Sequence, residues 1–162
     1  MSASSAGAGL RPVTADDGEF LYSVYAQTRA EELSVVPWTD EQKAAFLRMQ
    51  FDAQDSYYRE VYPEARFLVV TRDGAAVGRL YLVRLADEMR IIDIALLPPH
   101  RGAGIGTQLI SEVIAEAAQE GIAVTLHVEP WNPARRLYER FGFRTIKPDP
   151  VHELMELAAP IS

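Results

Sequence analysis

Apolar positions along the chain follow two rhythms, one of helical spacing and one of strand spacing, and the switches between them mark the element boundaries. A short apolar stretch at Leu10–Val13 predicts a first strand. Thr14 followed by Asp16, Asp17 and Glu19 suits a helix start, where acids meet the positive end of the dipole. Phe20, Leu21, Val24 and Tyr25 hold helical spacing toward Leu33, and Val35-Val36-Pro37-Trp38 breaks it. Thr39 and Gln42 form a capping-box signature for a second helix, carried by Ala45, Phe46 and Met49 toward Tyr62 and stopped by Pro63.

The texture then changes to strands. Phe67–Thr71 and Ala76–Leu85 are rich in Val, Leu and Tyr, with Arg72-Asp73-Gly74 between them as a hairpin turn. Arg90–Leu97 is apolar on both faces apart from Asp93, the pattern of a central strand, and Pro98-Pro99 stops it. Ile105, Leu109, Ile110, Val113, Ile114, Ala117 and Ala118 then trace one face of a helix that Gly121 ends. Ile122–Val128 predicts another strand. Asn132-Pro133 opens a short helix, closed by Gly142, and Phe143–Ile146 and Glu153–Leu157 predict two last strands.

The 162 residues fit one domain, read as residues 10–162 behind a disordered lead-in over 1–9. A formal charge of −7 argues against a nucleic-acid binder, which presents a basic stripe to phosphates. No apolar run approaches the roughly 20 residues of a membrane span, and the start lacks a secretory pattern, so a cytoplasmic location is expected. Without cysteine there is no disulfide, thiolate metal site or cysteine nucleophile. His100, His127 and His152 show no metal-ligand spacing, and no metal is expected.

Chemistry concentrates in Arg101-Gly102-Ala103-Gly104-Ile105-Gly106-Thr107, between a buried strand and a helix. Glycines there let the backbone pass close to a ligand and aim successive N–H groups at it, at a helix N-terminus that favours an anion. The loop reads as a pyrophosphate cradle, beside the plainer reading of a tightly packed helix start. A nucleotide P-loop would end in Gly-Lys-Ser/Thr, and no lysine is present. A dinucleotide fingerprint starting at Gly102 would need glycine at 107, where threonine stands, although Glu129 could serve as its ribose acid.

Two motifs in order resemble the GNAT superfamily of acyl-CoA N-acyltransferases. The first is Arg101-Gly102-Ala103-Gly104-Ile105-Gly106 directly after Ile91–Leu97. The second, one helix and one strand later, is Asn132 with Tyr138 six residues on and then Gly142-Phe143. The resemblance is specific from Phe67 to Phe143. It implies a single-domain α/β (α+β) GNAT fold: a mixed six- to seven-stranded sheet with splayed central parallel strands and about four helices. It further implies that acetyl-CoA, the cosubstrate, lies in the gap. Backbone groups of Leu96 and Leu97 would pair with its pantetheine arm, and N–H groups from Arg101, Gly102, Ala103, Gly104, Ile105, Gly106 and Thr107 would take its pyrophosphate. Asn132 would contact the arm from the other side, and Tyr138 would donate a proton to the departing CoA thiolate. Tyr138 also fits a core aromatic, Asn132 a plain helix cap and Arg101 a surface ion pair.

The expected reaction is direct attack of an uncharged primary amine on the acetyl group in a ternary complex. Asp93 is the candidate base, with a structural carboxylate as its alternative and Glu31 or Glu32 as substitutes. The first 66 residues carry 6 basic and 11 acidic side chains, a balance that suits a cationic acceptor. The resemblance implies that the first two helices and their loop shape the acceptor site, whether for a small molecule or a peptide, and Val36, Trp38, Tyr57, Tyr58 and Tyr62 lie there, although the aromatics equally fit the core. A non-catalytic acyl-CoA-binding module and a dinucleotide-dependent oxidoreductase are the competing readings. A homodimer could pair the final strand, Val151–Leu157, across a two-fold axis, as any short edge strand could; no nucleic-acid or membrane partner is expected.

Overall fold

The computed structural model describes residues 7–161. Seven strands form one mixed sheet: β1 (Ala8–Pro12), β2 (Arg66–Arg72), β3 (Ala75–Arg84), β4 (Glu88–Leu96), β5 (Ala123–Val128), β6 (Arg144–Lys147) and β7 (Glu153–Leu157), in the order β1-β2-β3-β4-β5-β7-β6. Four α-helices accompany them: α1 (Gly18–Ser34), α2 (Asp40–Val61), α3 (Ile105–Glu120) and α4 (Ala134–Phe141). The expected lead-in divides. Residues 1–6 lie outside the described residues, and Ala8 and Gly9 already pair with Arg72 and Thr71 in β1.

Local signals place most of these elements. The β2–β3 hairpin turns on Asp73 and Gly74, both at positive φ (52° and 81°), the geometry that a two-residue hairpin loop needs. Thr39 and Gln42 cap α2 reciprocally, and Thr14 does the same with Asp17 in the short 3-10 turn that leads into α1. Asp17 is buried, and Arg11 grips both of its carboxylate oxygens at 2.9 and 2.8 Å, so the β1–α1 connection is tied down.

The sheet has a different core on each face. α3 and α4 pack on one face over Leu80, Leu82, Met89, Ile91, Leu126 and Met155. α1 and α2 cover the other through Leu21, Tyr25, Leu33, Leu47, Phe51 and Tyr81. β4 and β5 are parallel, joined by the α3 crossover, and they pair only from Glu88–Ala123 to Ile91–Leu126. Directly beyond, the β3–β4 register shifts so that Ile92 is bulged, and β4 runs on to Leu96 with no strand on its β5 side. The central parallel strands therefore splay, as the family resemblance implies.

The expected dimer pairing through Val151–Leu157 does not fit this topology. β7 lies between β5 and β6 and is hydrogen-bonded on both sides, which leaves β1 and β6 as the sheet's edges.

Gly78 lets β3 approach the end of β4: a Cβ there would stand 2.4 Å from the Ala95 carbonyl oxygen and 2.7 Å from a Leu96 methyl. Gly78→Ala is expected to destabilise the fold by about 1–3 kcal/mol, as other overpacked interiors do, read as a lower urea midpoint.

Candidate functional site

The gap between β4 and β5 is where the chain leaves backbone groups unpaired. Antiparallel pairing sends the N–H and C=O of alternate residues to opposite sides of a strand. Leu97 donates its N–H to Val77 at 2.9 Å, so that group is already engaged on the β3 side. Ile94 and Leu96 thus turn their backbone groups toward the gap. Arg101 covers the Leu96 carbonyl, donating Nε–H at 2.9 Å. Of the two leucines expected to meet a pantetheine arm, Leu96 faces the gap and Leu97 is committed to β3.

The glycine loop follows. Gly104 sits at φ 85° at the head of α3, a left-handed conformation that costs glycine least, with open space where a side chain would begin. Among the described residues, the backbone N–H groups of residues 102–107 carry no hydrogen bond. Gln108 is the first to find an intrahelical acceptor, the Gly104 carbonyl at 3.0 Å. Gly102, Ala103, Gly104, Ile105, Gly106 and Thr107 thus present free donors at a helix N-terminus, which fits a pyrophosphate, whereas the N–H of Arg101, expected among them, is already given to the Pro98 carbonyl at 3.2 Å. Gln108 also locks the loop to the sheet edge, exchanging bonds with the N–H (3.2 Å) and C=O (3.0 Å) of Ala8.

α4 forms the other wall. Asn132 accepts from the Ala134 N–H at 2.9 Å and donates to Glu129 at 2.8 Å, so it caps α4 and ties it to the end of β5. Leu137 touches the Gly106 side of α3, at 4.0 Å from where a Cβ would stand. The next residue, Tyr138, is 6% exposed and packs against Phe143 with ring centroids 5.9 Å apart. Its hydroxyl makes no hydrogen bond among the described residues, so its proton is uncommitted. Burial above all, and then the negative charges of Asp93 and Glu129, push the phenol up to about 12. It is therefore neutral throughout the physiological range.

On the α2 side of the sheet stands a polar cluster that sequence reasoning read only in part. Asp93 Oδ2 accepts from Arg79 Nη2 at 2.7 Å and from Tyr58 Oη at 3.2 Å, while Gln54 accepts from the same Arg79 nitrogen at 2.8 Å. Burial first, then the Asp93 charge, holds Tyr58 protonated far beyond its ordinary range. Arg79 is masked in the sequence by the apolar run Val77–Val83 around it; a lone guanidinium in such a run is itself the signal. The substitutes for Asp93 sit elsewhere: Glu31 and Glu32 are exposed on the last turn of α1, and Glu32 pairs with Arg29 at 2.7 Å. Trp38 stacks edge-on against Phe46, and Tyr62 Oη receives a bond from Arg90 at 3.4 Å. Among the described residues no cluster of His, Asp and Glu is placed to hold a metal ion.

Comparison with known proteins agrees with this geometry. The model of the Acetyltransferase (GNAT) family matches residues 25–143. A Bacillus subtilis protein, provisionally named a ribosomal protein bS18-alanine N-acetyltransferase, is 28% identical over 142 residues, which is 85% of this chain and 81% of that protein. The ribosomal protein bS18-alanine N-acetyltransferase of Haemophilus influenzae is 27% identical over 107 residues, 65% of this chain and 71% of that one. Among solved structures, the PaiA N-acetyltransferase of Thermoplasma acidophilum in complex with coenzyme A superposes with a TM-score of 0.71 at 19% identity. That match spans 93% of this chain and 98% of the other, a likeness of fold.

Folding favours the neutral phenol of Tyr138, so its contribution to stability is whole below the ordinary value near 10 and is lost as pH rises through about 12. In ultraviolet difference spectra of the wild type against Tyr138→Phe, no Tyr138 ionisation is expected below about pH 11, whereas exposed tyrosines titrate near 10.

Proposed function

The chain belongs to the Acetyltransferase (GNAT) family, and from that premise we propose that it acetylates the free α-amine of a polypeptide. It is an N-acetyltransferase that uses acetyl-CoA as cosubstrate and hands the acetyl group to an amine. The proposed acceptor class rests on two bacterial relatives named as alanine N-acetyltransferases of ribosomal protein bS18, one of them matching over 85% of the chain. An acidic first 66 residues, with 6 basic and 11 acidic side chains, favours the approach of a cationic chain start from a basic protein. The same ribosomal acceptor supports the cytoplasmic setting that the sequence suggested.

The roles proposed for individual residues follow from where they stand. The free N–H groups of residues 102–107, with Arg101 beside them, hold the pyrophosphate. The gap-facing groups of Leu96 hold the pantetheine arm and leave the thioester between β4 and β5, with Leu97 fixing the strand to β3 and Asn132 on the opposite wall. The amine lone pair attacks the carbonyl carbon, the C–N bond forms and the C–S bond breaks. Asp93 binds the incoming amine and receives its proton, and Tyr138 gives its own to the thiolate. An uncommitted, neutral phenol suits that second step, because a proton donor must hold its proton until sulfur needs it. Holding both reactants in one gap supplies much of the rate.

The observation that carries the reading is a row of free backbone donors beside an unpaired stretch of β4, with that phenol on the facing helix. Gly104→Val forces a β-branched residue into a left-handed conformation, so calorimetry is expected to show acetyl-CoA binding weakened by about tenfold or more. With an Ala-initiated hexapeptide as acceptor, Tyr138→Phe is expected to lower kcat by about 10²-fold or more while leaving acetyl-CoA affinity within about twofold. An acetylated lysine side chain or polyamine, with the hexapeptide untouched, would refute the α-amine assignment.

A further inference from the structure

Two carboxylates, buried Asp17 and half-buried Asp93, are each paired with an arginine, and they are paired differently. Asp17 is gripped at both oxygens by Arg11, at 2.9 and 2.8 Å, and the Thr14 N–H adds a bond at 2.7 Å. That is the closed, two-pronged arrangement expected where the ion pair serves the fold. Asp93 is held by one oxygen only. Arg79 Nη2 and Tyr58 Oη both converge on Oδ2, at 2.7 and 3.2 Å, and among the described residues Oδ1 has no partner.

Arg79 is 3% exposed on the central strand β3, and its Nε is buried without an acceptor. A single-pronged pair with an orphaned N–H is a poor device for stability, since apolar side chains of similar volume fill such a place at no loss or at a gain. What the arrangement does achieve is orientation. Gln54 on α2 fixes the far side of the Arg79 nitrogen, Tyr58 fixes the second approach to Oδ2, and the carboxylate cannot turn. Asp93 stands just past Ile92, the bulged residue at the vertex of the β4–β5 gap, with 17% of its side chain still exposed.

We propose that Arg79 is a positioning residue for the acceptor: by holding Asp93 through Oδ2 alone, it presents Oδ1 at the gap as a fixed oxygen that docks the amine as an ammonium ion. This rests on the reading that Asp93 meets the acceptor. It adds a substrate class, because a site with a permanently oriented carboxylate beside a neutral phenol selects amines that arrive charged over neutral amines of the same shape. The ammonium then gives up one proton to that oxygen, and the freed lone pair attacks.

The test is binding without chemistry. Wild-type protein saturated with CoA is titrated with an alanyl hexapeptide and with the same peptide carrying a propionyl group in place of alanyl, which removes only the amine. The wild type is expected to prefer the alanyl peptide by about tenfold or more, the usual span for a hydrogen bond to a charged group. Arg79→Met and Gln54→Leu should shrink the preference, Arg79→Lys should restore most of it, and CoA affinity should stay within about twofold throughout, which a general loss of structure would not allow. No preference in the wild type overturns the proposal. So does a preference that survives in Arg79→Met, or in Gln54→Leu where the Met variant does not fold. A preference that survives in Asp93→Asn removes the underlying reading as well, and points to His127, the titratable residue on β5 beside the last paired position. A preference lost in Asp93→Asn but kept in the Arg79 and Gln54 variants removes the role of Arg79 alone.

Discussion

Backbone hydrogen bonds that β4 and β5 do not make are the constraint around which the rest of the molecule is arranged. The two parallel strands are paired at Glu88–Ile91 and then part, and a buried strand that stops pairing leaves polar groups that must be satisfied by something else. The bulge at Ile92 sits at the parting point, re-aiming β4 away from β5. A closed end with Glu88 and Arg90 bonded to Thr125 across the strands holds the vertex in place. The protein thus keeps an opening in the middle of its sheet, where a ligand chain can supply the missing partners.

What stands on the two sides of that opening differs in kind, because the two faces of the sheet are covered differently. On the α3–α4 face the packing is apolar, and it carries the amide donors of residues 102–107 and the phenol of Tyr138 on helices that touch each other at Gly106 and Leu137. Burial there keeps the phenol protonated, pushed up to about 12. On the α1–α2 face a charged cluster is built into the wall, with Arg79 and Gln54 behind Asp93. On the proposed roles, acyl carrier and amine acceptor would enter from opposite faces and meet in one gap, which is what a ternary-complex transfer requires.

Much of this could be read from the order of residues because it is local. The Asp73-Gly74 turn, the Thr39–Gln42 cap, the apolar stripe of α3 and the glycine loop each announce themselves within a few residues, and the structure places them there. Features set by long-range pairing were harder. The order β5-β7-β6 places β7 between two strands and removes the edge through which a final strand could have paired with a second copy. The one-residue register shift at Ile92 turns Asp93 to the α2 side, and no periodicity along the strand reports it. Leu97 and Leu96 look equivalent in sequence, but strand alternation gives one to Val77 and the other to the gap. Arg79 was legible only as an exception in an apolar run, and its meaning depends on Gln54 and Asp93, which lie far from it along the chain.

The most direct test of the central claim is amide NMR of the isotope-labelled protein during titration with acetyl-CoA. If the gap and its free donors form the acyl-CoA site, the signals of residues 102–107 and of Leu96 move first and furthest, while those of Leu97 and of β1 residues such as Leu10 stay nearly still. A titration that leaves residues 102–107 and Leu96 unmoved, or one that moves the α1–α2 face instead, would contradict the account.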